Sequence, residues 1–310
     1  MTERILVTGA LGCVGAWAVK AALDDGDEPV GYDLGQGTHR LELVLSPEEL
    51  ERITLVQGDI TDLDALGRAL DEHAITRVVH LAALQVPLCR ADPVLGARVN
   101  VVGTVNVFEA VKERLDRIPG VAYASSAAVY GPADPSPAPE SGGIAPATHY
   151  GVFKLANEGT ARLYRDNAGV PSVGIRPYVV YGPGRDQGMT SGPTLAMAAA
   201  ARGEGFAIGY GGVAQYDYAP LVGLAFVRAA AAPAGAVVAN FPGVTASMAE
   251  VVAAIEDAAP EAAGQITWED TALPFPAELE ARALEELVGP LPQMALAEGV
   301  RATIERFRRS

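Results

Sequence analysis

A chain of 310 residues, 49% hydrophobic and 20% charged, has the proportions of a globular protein long enough to bury its own core. Its two cysteines, Cys13 and Cys89, exclude a disulfide scaffold and fit a reducing compartment; with four scattered histidines they offer no zinc site. A formal net charge of −15 repels phosphate backbones and argues against nucleic acid as a partner.

The N-terminus lacks the basic region and long apolar stretch of a signal peptide, so a cytoplasmic protein is expected. Ile5-Leu6-Val7 reads as a buried strand that runs into a glycine-rich turn and an apolar-periodic helix through Leu23. Further strands are expected at 29–32, 53–56, 76–80 and 121–124, with Asp62 capping a helix that carries Leu63, Leu66 and Leu70. Strands alternating with helices imply an α/β fold with a Rossmann-type, doubly wound parallel sheet. A helix from about Pro93 to Leu115 is apolar almost all round, so it needs two burying partners. The sheet is one. The other is a second copy in a two-fold homodimer, or the C-terminal region of the same chain. Residues 132–146 read as an exposed Pro/Ala/Ser/Gly loop. From Tyr218 to Ala239 Arg228 is the one charge, but Pro220, Gly223, Pro233 and Gly235 break the run; it reads as buried helix plus strand, not a membrane span. The expected division is a dinucleotide-binding domain of residues 1–176 plus about 216–241, and a smaller C-terminal substrate lobe of 177–215 and 242–310.

Gly9-x-x-Gly12-x-x-Gly15 sits between the first strand and its helix. Glycines there allow a tight turn and let a pyrophosphate approach backbone N–H groups at the helix N-terminus. Asp33 ends the next strand, where a carboxylate accepts hydrogen bonds from ribose hydroxyls and repels a 2′-phosphate; Leu34-Gly35-Gln36-Gly37 follow without a base, which favours NAD over NADP. Tyr150 and Lys154 share one face of a helix at i,i+4 spacing. A neighbouring ammonium favours the phenolate, so the tyrosine pKa is expected to fall toward neutrality, and such a group can exchange a proton with a carbinol oxygen. Ser125 and Ser126 follow a strand end, where doubly wound sheets place ligands.

With Gly58-Asp59-Ile60, His80-Leu81-Ala82-Ala83, Asn100-Val101-Val102-Gly103-Thr104, Ser125-Ser126-x-x-Val129-Tyr130-Gly131 and Arg176-Pro177-x-x-x-Tyr181-Gly182-Pro183, these motifs make the chain resemble the extended short-chain dehydrogenase/reductase family, the NAD-dependent epimerase/dehydratase group, over essentially its whole length. The resemblance implies Tyr150 as general acid/base, Lys154 tuning it and bonding the nicotinamide ribose, and Ser126 on the reacting oxygen. It places Asp59 and Ile60 at the adenine, Leu81, Ala82 and Ala83 along the dinucleotide, Asn100 and Tyr178 at the nicotinamide end, and Cys13 and Val14 at the pyrophosphate, with Ser125 also among the cofactor residues. Asn100 has a second reading, a tie between its helix and a neighbouring loop.

Departures from the family pattern narrow the chemistry. Ala127 and Ala128 stand where the dehydratases of the group carry an Asp-Glu pair, so no acid is available to eliminate water. Val179 and Ala214 stand where nucleotide-sugar enzymes hold a diphosphate, leaving Arg185 or Arg202 to compensate if one binds. Arg185-Asp186-Gln187-Gly188-Met189-Thr190-Ser191 is the expected substrate loop. Arg185 pairs either a substrate carboxylate or Asp186. Thr190 and Ser191 bond substrate hydroxyls, or Ser191 caps a helix from Pro193. The leading expectation is an NAD-dependent dehydrogenase acting on a small sugar-like or hydroxy-acid substrate. An epimerase with retained NAD and an idle NAD-binding regulator are the alternatives.

Overall fold

The computed structural model describes residues 2–142 and 144–309. Among these, the strands are β1 (Arg4–Thr8), β2 (Glu28–Asp33), β3 (Thr54–Gln57), β4 (Arg77–His80), β5 (Val121–Ala124), β6 (Ser172–Arg176), β7 (Val179–Tyr181), β8 (Phe206–Ile208), β9 (Val213–Tyr218), β10 (Ala236–Asn240), β11 (Val244–Ser247) and β12 (Ile266–Trp268). The helices are α1 (Cys13–Asp24), α2 (His39–Val44), α3 (Pro47–Leu50), α4 (Leu63–Glu72), α5 (Val86–Ala91), α6 (Pro93–Ala97), α7 (Gly103–Lys112), α8 (His149–Ala168), α9 (Gly192–Ala200), α10 (Ala219–Ala231), α11 (Met248–Ala258), α12 (Ala283–Val288) and α13 (Leu296–Phe307).

Seven strands form one parallel sheet in the order β10-β6-β5-β4-β1-β2-β3. The chain runs outward from β1 through β2 to β3, then crosses to β4 on β1's other side. That reversal opens a crevice at the strand C-termini, the place where such sheets bind ligands. Thr8, at the end of β1, registers with Tyr32 and His80. His80 is buried between the Thr8 and Thr104 hydroxyls at 2.8 and 3.0 Å, and desolvation holds its pKa down to about 3, so it serves as a neutral tie.

Helices cover both faces. Ala18, Val19 and Ala22 of α1 pack with Val222 and Phe226 of α10 on one side; Leu66, Leu70, Phe108 and Val111 pack on the other. The α1–α10 crossing is close because Gly223 lies against Trp17, where a Cβ would stand 2.5 Å from the Trp17 carbonyl carbon. Asp62 caps α4, accepting from Ala65 N at 2.9 Å. A third apolar cluster, with Tyr181, Met197, Tyr216, Val251 and Ile304, lies among β7, β9, α9, α11 and α13. There β11-β9-β7 and β12-β8 form two small sheets.

All five expected strands are present. β6 was not expected: Gly174 interrupts its apolar run, because the Tyr123 ring fills that place and a Cβ would stand 2.5 Å from its Cζ. The stretch 132–146, of which Gly143 lies outside the described residues, is not simply exposed. Ala138 is buried, Tyr130 Oη donates to Pro139 O (2.9 Å), and the Glu140 carboxylate accepts from Asn240 N (3.0 Å) and Ala283 N (3.1 Å). The helix expected at 93–115 is broken into α6, a π-helical turn at Arg98–Val102, and α7. By length and composition Pro93–Lys112 could cross a membrane, but half of it is buried inside the fold. Val94, Leu95 and Val102 stay exposed, so the C-terminal region does not cover this face.

Candidate active site

The glycine turn forms as its spacing requires. Gly9 has φ +73° and lies against the next strand's exit: a Cβ would stand 2.7 Å from Ala82 N. A Cβ on Gly15 would meet Gly9 O at 2.1 Å, so the helix can start this close only without one. Cys13 and Val14 open α1, whose first N–H groups have no partner within the helix and point along its axis, the arrangement that suits an anion. The Cys13 thiol is pushed up to about 12 by burial, so it stays a neutral thiol. Asp33 is held by the same turn: its two oxygens accept from Leu11 N and Gly35 N, each at 3.0 Å. One bond per oxygen leaves acceptor capacity for ribose hydroxyls. A cavity of about 240 Å³ borders Asp33, lined also by Leu11, Gln36, Leu55 and Gln57. These features, a cradle that any Cβ would fill and a carboxylate with spare capacity, fit a dinucleotide with a free ribose 2′-hydroxyl.

Asp59 is exposed and accepts from Thr61 N at 2.8 Å, while Ile60 is buried against Gly103. Leu81 and Ala82 donate their N–H groups to Thr8 Oγ1 at 3.2 Å, and with Ala83 they form the half-buried exit of β4. Asn100 does not turn its amide toward a nicotinamide site. It accepts from Leu84 N (2.7 Å) and donates to Leu84 O (2.9 Å), which tie the π-helical turn to the β4 exit loop. Ser125 likewise turns its hydroxyl inward, onto Glu158. It can offer a cofactor only its backbone.

Ser126 follows β5 and caps the short turn at Ala127–Val129, accepting from Ala128 N at 3.1 Å. Its hydroxyl is also hydrogen-bonded to Tyr150. Thr148 caps α8 through Gly151 N at 3.0 Å, which puts Tyr150 in the first turn and Lys154 one turn on. Lys154 is buried; its Nζ donates to Ala124 O (2.6 Å) and lies 5.5 Å from the centre of the Tyr150 ring. The expected fall of the tyrosine pKa is not what this arrangement gives. Burial pushes Tyr150 up to about 12, outweighing the Ser126 hydrogen bond and the Arg185 charge, while burial brings Lys154 down to about 8. Desolvation disfavours both charged forms, and the ammonium is aimed at a carbonyl rather than at the phenol. Ala127 and Ala128 are buried, so no carboxylate occupies those places.

Tyr178 is pinned by its backbone, which donates to Asp217 Oδ2 at 2.6 Å; its ring stands edge-on to Phe275 and its hydroxyl is buried without a partner among the described residues. Asp217 was not singled out from sequence. It is fully buried in β9, receives Gln215 Nε2 as well, and is raised to about 7 by desolvation. Val179 and Ala214 are buried strand residues. Arg202 is exposed at the end of α9 and bonded to Glu204.

Of the two readings of Arg185, pairing with Asp186 is not what the structure shows. Asp186 pairs with Arg40 (2.7 and 3.0 Å) and His39 (3.3 Å), and Arg40 also donates to Leu11 O at 2.9 Å. Arg185 is therefore free of Asp186. Its Nη2 donates to Thr190 Oγ1 at 3.2 Å, and its charge acts on Tyr150 and Tyr210. Ser191 occupies the N-cap position of α9, but its hydroxyl donates to Gly188 O (2.9 Å) and caps no N–H.

The chain matches the model of the NAD dependent epimerase/dehydratase family over residues 5–222. It is 34% identical to a UDP-glucose 4-epimerase of Mycolicibacterium smegmatis, covering 98% of each chain. It is also 34% identical over 184 residues to UDP-glucuronate 4-epimerase 1 of Arabidopsis thaliana, covering 58% of this chain and 43% of that one. Among solved structures, a Thermus thermophilus UDP-glucose 4-epimerase in complex with NAD superposes with a TM-score of 0.81 at 27% identity, covering 99% of both chains. A partial-consensus L-threonine 3-dehydrogenase shares the fold at TM-score 0.87 and 23% identity, covering 99% and 100%. With sheet, cradle and Ser-Tyr-Lys group in place, this chain belongs to the NAD-dependent epimerase/dehydratase family.

Proposed function

We propose that the protein is an NAD-dependent dehydrogenase that interconverts a secondary alcohol and a ketone on a small, polar, non-nucleotide substrate. The observation that carries this reading is the Ser126–Tyr150–Lys154 group set beside buried Ala127 and Ala128, a site equipped for proton exchange with a carbinol oxygen and for no elimination. NAD, when bound, supplies the hydride acceptor and a positive charge. Gly9, Gly12, Gly15, Cys13 and Val14 hold its pyrophosphate, Asp33 its ribose, Asp59 and Ile60 its adenine, and Leu81 to Ala83 line its path. Ser126 fixes the substrate oxygen. Tyr150 is protonated at neutral pH and so is ready to donate when a ketone is reduced; to act as base in oxidation it needs added positive charge nearby. Buried Val179 and Ala214, and an Arg202 already bonded to Glu204, support a substrate without a diphosphate.

The second reading, a sugar-nucleotide epimerase that keeps its NAD, is favoured by the relative that matches 98% of the chain. Screening sugars, sugar acids, hydroxy acids and UDP-sugars by absorbance at about 340 nm and by product chromatography separates the two. Net NADH formation supports the dehydrogenase. Interconversion of a UDP-sugar without net NADH overturns it. We also infer that the exposed Leu88, Val94, Leu95, Val102, Val152 and Leu163 meet a second copy of the chain, making a homodimer; sedimentation at the mass of one chain would contradict this. Two free thiols and a strongly acidic chain support a cytoplasmic enzyme without nucleic-acid partners.

A further inference from the structure

Among the described residues, Arg185 Nε and Gln85 Oε1 are buried polar atoms that the fold leaves without a hydrogen-bond partner, and their side chains meet over Gly188. Arg185 Nε is buried without a partner, and its neighbour in sequence, Asp186, is turned away to Arg40. Gln85 Oε1 is buried without a partner in the loop after β4. Gln85 and Arg185 meet over Gly188, where a Cβ would stand 1.9 Å from Gln85 Oε1 and 3.1 Å from Arg185 Nη2. A half-buried cation next to unpaired polar groups is costly unless a ligand completes it with negative charge and hydrogen bonds.

Resting on the dehydrogenase reading above, we propose that Arg185, with Gln85, binds a carboxylate of the substrate, so that the enzyme acts on hydroxy or keto acids rather than neutral polyols. The guanidinium fork matches a planar carboxylate, and one cation balances its single charge. The Gln85 amide can turn its Nε2 donor toward the anion. Gly188 suits this place because its backbone is left-handed, φ +102°, and a side chain there would also displace the Gln85 amide. A diphosphate would bring more charge than this one arginine answers.

The test is calorimetric binding to the NAD-loaded protein, without turnover. The probes are gluconate against glucitol, tartrate against erythritol, and UDP as the phosphate arm. The acid of at least one pair should bind about 10- to 100-fold more tightly than its neutral partner, the range of a charge-assisted hydrogen bond. Arg185→Met should abolish that preference and Arg185→Lys should restore part of it, with NAD affinity unchanged in both. Equal binding of acids and polyols, a preference that survives Arg185→Met, or UDP binding more tightly than either acid overturns the proposal. Turnover of a neutral alcohol with no acid preference would refute the carboxylate site and leave the dehydrogenase standing. Acid preference with no NADH formed from any substrate would refute the dehydrogenase and leave the site.

Discussion

Two arginines nine positions apart show how differently one side chain is used in two regions of this molecule. At the end of β6, Arg176 is 2% exposed and fully engaged: Nε and Nη2 donate to the two oxygens of Glu158 at 2.8 and 2.7 Å, and Nη1 donates to Tyr130 Oη (2.6 Å) and Glu140 O (3.0 Å). Ser125 completes the carboxylate. On the loop after β7, Arg185 has Thr190 and an orphaned Nε. The saturated arginine fixes the floor under Ser126 and Tyr150. The unsaturated one keeps donors in hand for something that arrives later. What decides between the roles is whether partners are already in place, since a buried donor left unmade costs far more than a made one gains.

If the floor and the reacting groups are separate systems, Tyr150→Phe should strike only the second. It removes one hydroxyl and keeps the ring. General acid/base catalysis contributes about 10²–10⁴-fold, so turnover should fall by that order while NAD affinity and melting temperature hold. Turnover near that of the unmodified protein would remove Tyr150 from the mechanism.

Arg176→Met should do the reverse. It leaves the Glu158 carboxylate buried without its cation, and breaking a buried pair typically costs about 3–5 kcal/mol. The unfolding free energy from denaturant titration should drop by that amount. A loss under about 1 kcal/mol would mean that Arg176 is no more structural than a surface pair, and the contrast with Arg185 would collapse.

A smaller effect concerns Asp217, the carboxyl that holds the Tyr178 backbone. Burial raises its pKa from 3.8 to about 7, so the folded chain binds a proton that the unfolded chain releases at lower pH. The stability this group contributes is complete below about pH 4 and is lost as pH rises through about 7. Three pKa units set an upper bound of about 4 kcal/mol, and relaxation around the ionised group leaves roughly half. Asp217→Asn accepts the same Tyr178 N–H and cannot ionise, so its denaturant midpoint should fall less between pH 4 and 7 than that of the unmodified protein. Parallel curves for the two would show that Asp217 titrates normally.

The sequence made the glycine turn, Asp33 and the Tyr150–Lys154 pair readable because each is encoded by spacing inside one strand–helix unit. The partner of Asp186 was not readable: Arg40 lies 146 residues away, and only the closure of the loop after β7 onto α1 brings them together. The same distance effect hid the use of Asn100 and Ser125, whose polar atoms meet Leu84 and Glu158. The direction of the Tyr150 pKa was misjudged because sequence shows the neighbouring charge but not the burial that outweighs it. β6 escaped because the glycine its packing requires looks, in sequence, like an interruption.

Asp33 stands between the two arginines, half satisfied, and tests whether the degree of saturation predicts a ligand role. Its oxygens take the Leu11 and Gly35 N–H groups, which fix the carboxylate's orientation, and each keeps further acceptor capacity. With NAD those lone pairs receive ribose hydroxyl protons; with NADP the same carboxylate meets a phosphate and repels it. Losing charge-assisted hydrogen bonds costs about 1.5–3 kcal/mol, roughly ten- to over a hundredfold in affinity. NAD should therefore bind more tightly than NADP by at least that factor. Asp33→Asn should narrow the gap from both sides, weakening NAD and relieving NADP, while the amide oxygen still accepts from Leu11 N and only the Gly35 N–H bond is given up. Fluorescence titration of both cofactors against both proteins measures the four affinities. A gap that stays the same after the substitution would mean that Asp33 only braces the glycine turn, a saturated residue in the manner of Arg176 despite its spare lone pairs.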